Sequence, residues 1–237
     1  MRQQFTFDYI KNQYQLVIKQ GYTVITCSDY VSYKREKITE PILVNRVDID
    51  MSVKKAERLL DIFNELGIKA TFFIRLHAPD YNPFSFENYR IIKKIIDSGH
   101  ELGYHSEVID QGKIWNEDPS ECLIRDIQMI NLGFGANIKG VASHGGMTGY
   151  NNLDFWKDKK ASDFGLLYEA YDSEAEFNLF HESFFISDSE WTRWKCYDNG
   201  VLVEDDRRSP AEHLSDKHQI IYLLIHPDTY FDLHFYE

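Results

Sequence analysis

Four segments of the sequence end in side chains that can bind a metal ion or transfer a proton. These side chains are Asp48 with Asp50, His105 with Glu107, His144 before Gly145, and His226 before Pro227. Two histidines and a carboxylate are a donor set of open zinc sites, in which water takes the remaining position. A further carboxylate or histidine nearby can act as general base or acid. The segments therefore predict a hydrolytic metal centre if the fold brings them together.

The aspartate pair closes an apolar run that begins at Ile42 and is typical of a buried strand. Residues two apart on a strand point to the same side, so Asp48 and Asp50 would repel unless a cation or a catalytic task compensates. The alternative is that one aspartate caps the helix that follows Ser52 and the other lies in a loop. Each histidine taken alone also has a structural alternative, as a cap, a turn residue or a strand end.

Apolar spacing predicts the elements that would position these residues. Helices are predicted over 7–20, 53–66, 86–98 and 119–132, and strands over 22–27, 42–50, 70–75, 101–105, 138–143 and 219–225. Residues 28–40 resemble a polar connection, and 164–171 and 177–187 look extended, with Glu169 and Asp172 interpreted as surface charges. Strands that alternate with helices over short joints are parallel, and their carboxyl ends meet at one face. The predicted fold is a parallel, barrel-like α/β domain with an irregular second half.

Composition limits the function classes. The 237 residues carry 38 acidic and 26 basic side chains and a formal charge of −12, which argues against nucleic acid or an anionic membrane as the main partner. Neither a signal-peptide core nor a membrane-spanning run is recognisable, so a cytoplasmic protein without membrane insertion is expected. Cys27, Cys122 and Cys196 are widely spaced, which favours buried thiols over a disulfide framework or a cysteine metal site.

Taken in order, four segments resemble the motifs of polysaccharide deacetylases, carbohydrate esterase family 4. They are Asp-Ile-Asp at 48–50, Ala-Thr-Phe-Phe at 70–73, Gly-His-Glu-Leu-Gly-Tyr-His-Ser at 99–106 and Leu-Ile-His at 224–226. The sequence is most similar to a divergent, uncharacterised branch, some of whose members are linked to bacterial surface-polysaccharide gene clusters. Chain length and composition suit a single domain over 1–237, and the helix and strand at 1–41 look like a segment appended to it. The resemblance covers 42–228, which it implies to be a distorted (β/α) barrel of about seven parallel strands, so that the whole would be one deacetylase-like catalytic domain.

The resemblance also implies a chemistry and the roles of single residues. The expected reaction is hydrolysis of an acetyl or formyl amide on an amino sugar, an oligosaccharide or a sugar precursor. It would require a divalent metal, with zinc as the first choice and nickel, cobalt or iron as alternatives. Carried over to this sequence, Asp48 would be the base and His226 the acid. Asp50 and His105 would bind the metal.

The sequence departs from the family pattern in three places. The aspartates are separated by Ile49, so the base and the ligand could be exchanged. The second motif histidine is replaced by Ile109, so a third ligand must come from elsewhere, with His144 preferred over Glu107. The Arg-Pro motif is absent, so Arg46 or Arg75 would orient the base.

The remaining predictions concern the substrate and the alternatives to catalysis. Residues predicted at the substrate site are Arg46, Arg75, Tyr104 and Glu107, and the aromatic residues considered for stacking on a sugar are Tyr104, Tyr150, Phe155 and Trp156. One alternative is a deacetylase-fold binding or regulatory protein that has lost the metal. Another is a different metal-dependent C–N hydrolase.

Overall fold

A mostly parallel sheet forms the centre of the protein, in a computed structural model that describes residues 5–36, 38–191 and 193–233. Its strands are β1 (Thr23–Ile25), β2 (Ile42–Ile49), β3 (Thr71–Ile74), β4 (Glu101–Ser106), β5 (Gly140–Ser143), β6 (Tyr168–Glu169), β7 (Phe184–Ser187), β8 (Lys195–Asp198), β9 (Val201–Leu202) and β10 (Ile220–Ile225). Hydrogen-bonded neighbours follow the order β6-β5-β4-β3-β2-β10-β7-β8-β9, and β1 lies beside β2. The path from β6 to β7 holds seven parallel strands, and the predicted α/β class is confirmed.

Helices cover the outer face of the sheet, apart from the second, which lies at the end of the sheet where β3 and β4 begin. They are α1 (Phe7–Lys19), α2 (Cys27–Glu36), α3 (Val53–Leu66), α4 (Phe86–Asp97), α5 (Val108–Trp115) and α6 (Pro119–Phe134). The bounds predicted for α3 are confirmed, because Ser52 Oγ accepts from the backbone N–H of Lys55 at 3.2 Å and Gly67 ends the helix with φ +68°. None of the helices in the described ranges is long and apolar enough to cross a bilayer.

Strand alternation divides the core into two layers. On β2, Leu43 and Val47 pack outward against the helices, whereas Ile42 and Val44 pack into the interior of the curved sheet. The same alternation directs Arg46, and after it the aspartates, inward. Side chains fill the gap between β6 and β7, the two ends of the parallel path. The hydroxyl of Tyr222, which lies on β10, donates to the Ala170 carbonyl at 3.2 Å, and the Tyr171 and Phe185 rings lie 6.1 Å apart. The result is an incomplete barrel.

The structure differs from the predicted elements where the sequence lacks periodicity. Residues 27–36 form α2 and not a polar connection, and α5 was not predicted. The stretch expected to be extended at 164–171 contains only the two-residue β6, and the one at 177–187 includes a 3₁₀ turn before β7. Glu169 is fully buried and not a surface charge, because its carboxylate accepts from the backbone N–H groups of Ser143 and Tyr171.

Candidate active site

Three predicted metal ligands converge at the carboxyl ends of the strands. Asp50 follows β2, His105 lies in β4 and His144 follows β5, and one donor atom from each lies within 4.8 Å of the other two. His105 Nε2 is 3.2 Å and His144 Nε2 is 3.9 Å from Asp50 Oδ1. A carboxylate and two imidazoles grouped in this way can hold a divalent ion.

The buried polar atoms of this group fit such an ion. Asp50 Oδ1 is buried without a hydrogen-bond partner, and a buried carboxylate oxygen of this kind calls for a cation. His105 donates from Nδ1 to the Ala142 carbonyl at 2.8 Å, which leaves Nε2 as the atom that faces Asp50. That is the tautomer in which an imidazole ligates a metal.

Arg46 distinguishes the two aspartates. Its guanidinium donates from Nε to Asp48 Oδ1 at 2.9 Å and from Nη2 to Asp48 Oδ2 at 2.7 Å. Burial alone would raise the pKa of Asp48, but Arg46 and His105 lower it below its usual value. Asp48 is therefore an ionised carboxylate with both oxygens occupied, whereas Asp50 keeps an oxygen free for a ligand.

His226 lies on the other side of the same group, with Nε2 3.9 Å from Asp50 Oδ2. Its Nδ1 is 2.6 Å from Asp188 Oδ1, and its backbone N–H donates to Asp188 Oδ2 at 3.0 Å. Burial alone would lower the pKa of His226, but the Asp188 carboxylate raises it to about 9. The imidazole is thus protonated at neutral pH, as a general acid must be before it acts.

Asp188 is a site residue that the sequence reasoning missed. It directly follows β7, the same position relative to a strand that singled out Asp50 and His226. The signal was present, because the stretch predicted to be extended ends at Ser187, directly before Asp188.

Arg75 and Glu107 support the site from behind. Arg75 donates from Nη2 to Glu107 Oε1 at 2.6 Å and from Nη1 to the Asp50 carbonyl at 3.0 Å, and Glu107 Oε1 is 3.4 Å from His144 Nδ1. Burial would raise the pKa of Glu107, but His144 and Arg75 lower it to about 2. Both side chains are buried away from the cavity wall, so the prediction that they contact substrate is not supported; they orient Asp50 and His144 instead.

A cavity of about 240 Å³ opens over the group. Arg46, Asp48, Asp50, His105, His144 and His226 line its floor, and the aromatic side chains in its wall are Tyr171, Phe180, Phe185 and Tyr197. The predicted site residue Tyr104 is wrong: it alternates with His105 on β4, so it points to the outer face, where its hydroxyl donates to Asp126 at 2.5 Å. Tyr150, Phe155 and Trp156 also lie outside this wall.

The family model for polysaccharide deacetylase matches residues 47–163. This chain is a polysaccharide deacetylase-like protein. The matched part includes both aspartates, His105 and His144, whereas Asp188 and His226 lie beyond it. No curated protein sequence matches the deacetylase-like chain.

Solved structures similar to the deacetylase-like chain include a CE4 family pseudoenzyme from Bacillus anthracis, with 16% identity over 81% of this chain and 56% of that chain and a TM-score of 0.48. A mutant of that pseudoenzyme with restored enzymatic activity gives 16% identity, 81% and 58% coverage and a TM-score of 0.48. The chitin deacetylase of the fungal pathogen Colletotrichum lindemuthianum gives 21% identity, 45% and 47% coverage and a TM-score of 0.33. The deacetylase-like chain spans little more than half the length of the first two.

Proposed function

We propose that the protein is a metal-dependent amidohydrolase that removes an acetyl or formyl group from the nitrogen of an amino sugar or sugar precursor used for surface polysaccharide. The observation that carries the proposal is the arrangement around the cavity. Three donor atoms of a metal site, from Asp50, His105 and His144, lie between an ionised Asp48 and a protonated His226. A polysaccharide deacetylase domain that includes four of these five residues supports an N-acyl sugar as the substrate.

In this proposal Asp50, His105 and His144 hold the divalent ion, with zinc first and nickel, cobalt or iron as alternatives. The ion supplies Lewis-acid activation of water and of the acyl carbonyl. The chain's own contribution is to fix the three donors: Ala142 orients His105 through its carbonyl, Glu107 lies against His144, and Arg75 holds the Asp50 backbone.

The two remaining side chains divide the proton transfers. Asp48 receives a proton from the attacking water, and Arg46 keeps its carboxylate ionised until then. His226 donates its Nε2 proton to the nitrogen of the leaving amine, and Asp188 holds the opposite edge of the ring. General acid and base groups of this kind each contribute about 10²–10⁴-fold to a rate.

One observation favours a second candidate function, a catalytically impaired binding protein. Both oxygens of Asp48 are engaged by Arg46, and a lowered pKa makes a carboxylate a weaker base. A third possibility, another metal-dependent C–N hydrolase, differs from the first only in its substrate.

A substrate panel separates these functions. Protein purified without chelator is assayed against N-acetyl and N-formyl amino sugars, nucleotide-linked amino sugars and cyclic amides, beside Asp48→Asn and the exposed control Asp61→Asn. The proposal expects amine release from an N-acyl sugar that Asp48→Asn abolishes and Asp61→Asn retains. A wild type that binds such a sugar without releasing amine, with or without added zinc, nickel, cobalt or iron, identifies the binding protein. Turnover of cyclic amides alone identifies the other hydrolase.

A further inference from the structure

A second group of metal-ligating side chains lies away from the cavity, in the part of the chain after β7. It consists of Cys196 in β8, Asp206 in the loop after β9 and His213 in the 3₁₀ turn Glu212–Asp216, and we call it the cysteine cluster. One donor atom from each residue lies within 4.8 Å of the other two. Cys196 Sγ is 3.5 Å and Asp206 Oδ1 is 3.4 Å from His213 Nε2.

These distances fit a tetrahedral zinc site. With Zn–S about 2.3 Å and Zn–N and Zn–O about 2.0 Å, tetrahedral angles place sulfur about 3.5 Å from nitrogen and oxygen about 3.3 Å from it. Thiolate, imidazole and carboxylate together are donors that zinc accepts. Two of the three donor separations therefore have the lengths of a tetrahedral zinc site, and the third, from Cys196 Sγ to the Asp206 carboxylate, is within 4.8 Å.

His213 provides a second, independent observation. Its side chain is fully buried, and Nδ1 has no hydrogen-bond partner, although Asp216 Oδ2 lies 3.5 Å away. When one imidazole nitrogen ligates a metal, the other usually donates to a carboxylate. An ion on Nε2 would fix the proton on Nδ1, toward Asp216, and so give a partner to the buried nitrogen.

The charges around the cysteine cluster are compatible with a bound divalent cation. Arg208 pairs with it through Nη2 to Asp206 Oδ2 and Nη1 to Asp216 Oδ2, both at 2.8 Å, and through Nε to Asp206 Oδ1 at 3.2 Å. Arg207 is a second positive side chain that acts on Cys196. With a Cys196 thiolate and two aspartates the group carries three negative charges against two positive ones, so it remains net negative, as a cation site requires.

We propose that Cys196, Asp206 and His213 bind a structural zinc ion, separate from the proposed catalytic metal. The three protein donors leave the fourth position to water, and aromatic packing separates the site from the cavity: the Phe184 ring lies 4.4 Å from the His213 ring and stacks on His218 at 4.1 Å. The ion ties the antiparallel strand β8 to the loop that leads back to β10. The wide cysteine spacing had argued against a cysteine metal site; the fold supplies the missing neighbours from 10 and 17 residues further along the chain.

Cobalt substitution tests the thiolate ligand directly. Cobalt(II) bound to a thiolate gives a sulfur-to-metal charge-transfer band in the near ultraviolet, and the group around Asp50 contains no sulfur. We expect the band in cobalt-loaded wild type, in Asp50→Asn and in the control Cys122→Ser, whose cysteine is also buried, and we expect its loss in Cys196→Ser. The absence of the band from wild type, or its survival in Cys196→Ser, would overturn the proposal.

A second test measures zinc content and thermal unfolding of the Asp50→Asn variant. This substitution weakens the proposed catalytic metal site, so that bound zinc reports on the cysteine cluster. Zinc should remain bound to Asp50→Asn at one ion per chain and raise its Tm, and adding Asp206→Asn or Cys196→Ser should remove both effects. If Cys196→Ser does not fold, Asp206→Asn decides the question. If the Asp50→Asn protein binds no zinc and its Tm does not rise when zinc is added, the structural site is refuted. That conclusion holds whatever the deacetylation assay shows.

Discussion

The group around Asp50 and the cysteine cluster use similar donors in opposite surroundings. Asp50, with two histidines, lies at the mouth of the barrel under a cavity of about 240 Å³, between groups suited to give and take protons. The cysteine cluster is packed under Phe184 and held by Arg208. Donor identity alone does not separate a catalytic from a structural metal site. Access for water and substrate, together with nearby acid and base groups, does.

The largest effect is expected from Asp50→Asn, with Asp61→Asn as the control. Loss of the carboxylate ligand removes several kcal/mol of transition-state stabilisation, which lowers kcat/KM about 10³-fold or more. The cobalt–thiolate band of the cysteine cluster should be unchanged. Equal loss of the band would show that the two sites are not independent.

His226→Gln is expected to lower kcat about 10²–10⁴-fold, because no acid remains to protonate the leaving nitrogen. In wild type the rate should fall as pH rises through about 9, where His226 loses its proton, and Asp188→Asn should move this fall to lower pH because the carboxylate that raises the pKa is gone. His77, whose side chain is 28% exposed and is not among the cavity-lining residues, supplies the control His77→Gln. A pH profile that is the same in wild type and Asp188→Asn would remove His226 as the acid.

The two arginines should differ in their effect on stability. Arg46 and Asp48 are 1% and 2% exposed, so Arg46→Met leaves a buried charge unpaired and should lower the free energy of unfolding by about 3–5 kcal/mol. Arg208, with a side chain 43% exposed, pairs near the surface, and Arg208→Met should cost about 0–1 kcal/mol in zinc-loaded protein. Urea unfolding at neutral pH compares them. Equal losses would contradict the difference in burial.

His100 sharpens the contrast with His213, because both nitrogens of His100 have partners. Nδ1 accepts from the Ala70 N–H at 3.1 Å and Nε2 is 3.2 Å from Asn64 Oδ1, and burial lowers the pKa from 6.5 to about 4. Since the unfolded chain binds this proton more readily, the contribution of His100 is present above about pH 6.5 and is lost as pH falls toward about 4. His100→Gln should remove that acid-dependent loss, about 3 kcal/mol, measured by urea unfolding across this range. An unchanged pH dependence would show that the fold does not lower the pKa of His100.

The first half of the chain could be predicted well because its patterns are local. Ser52 and Gly67 mark α3, and a strand that ends in Asp48 and Asp50 places both carboxylates on the inner face. The grouping of Asp50, His105 and His144 follows from one rule, that parallel strands end at one face. That these three hold a metal remains a prediction.

The rest could not be predicted because it depends on contacts between distant residues. Tyr104 was assigned to the site although strand alternation directs it outward beside His105. The aromatic wall at Tyr171 and Phe180 comes from turns and 3₁₀ segments without periodicity. Asp188 directly follows a predicted strand, but only its contact with His226 shows its role. The partners of Cys196 come together only when the chain returns after β9.

Helix α2 determines from which side a substrate could reach the proposed active site. The backbone N–H of Cys27 donates to Thr71 Oγ1 at 2.8 Å and that of Ser28 to Glu101 Oε2 at 2.9 Å, at the first residues of β3 and β4. The Tyr30 ring packs on Phe177 inside the barrel, at the end opposite the cavity. The barrel is therefore a cup with a sealed base and not a tube. A glycan cannot be threaded through it, so in the proposed function substrate and product would share one opening, and each product would leave before the next sugar docks.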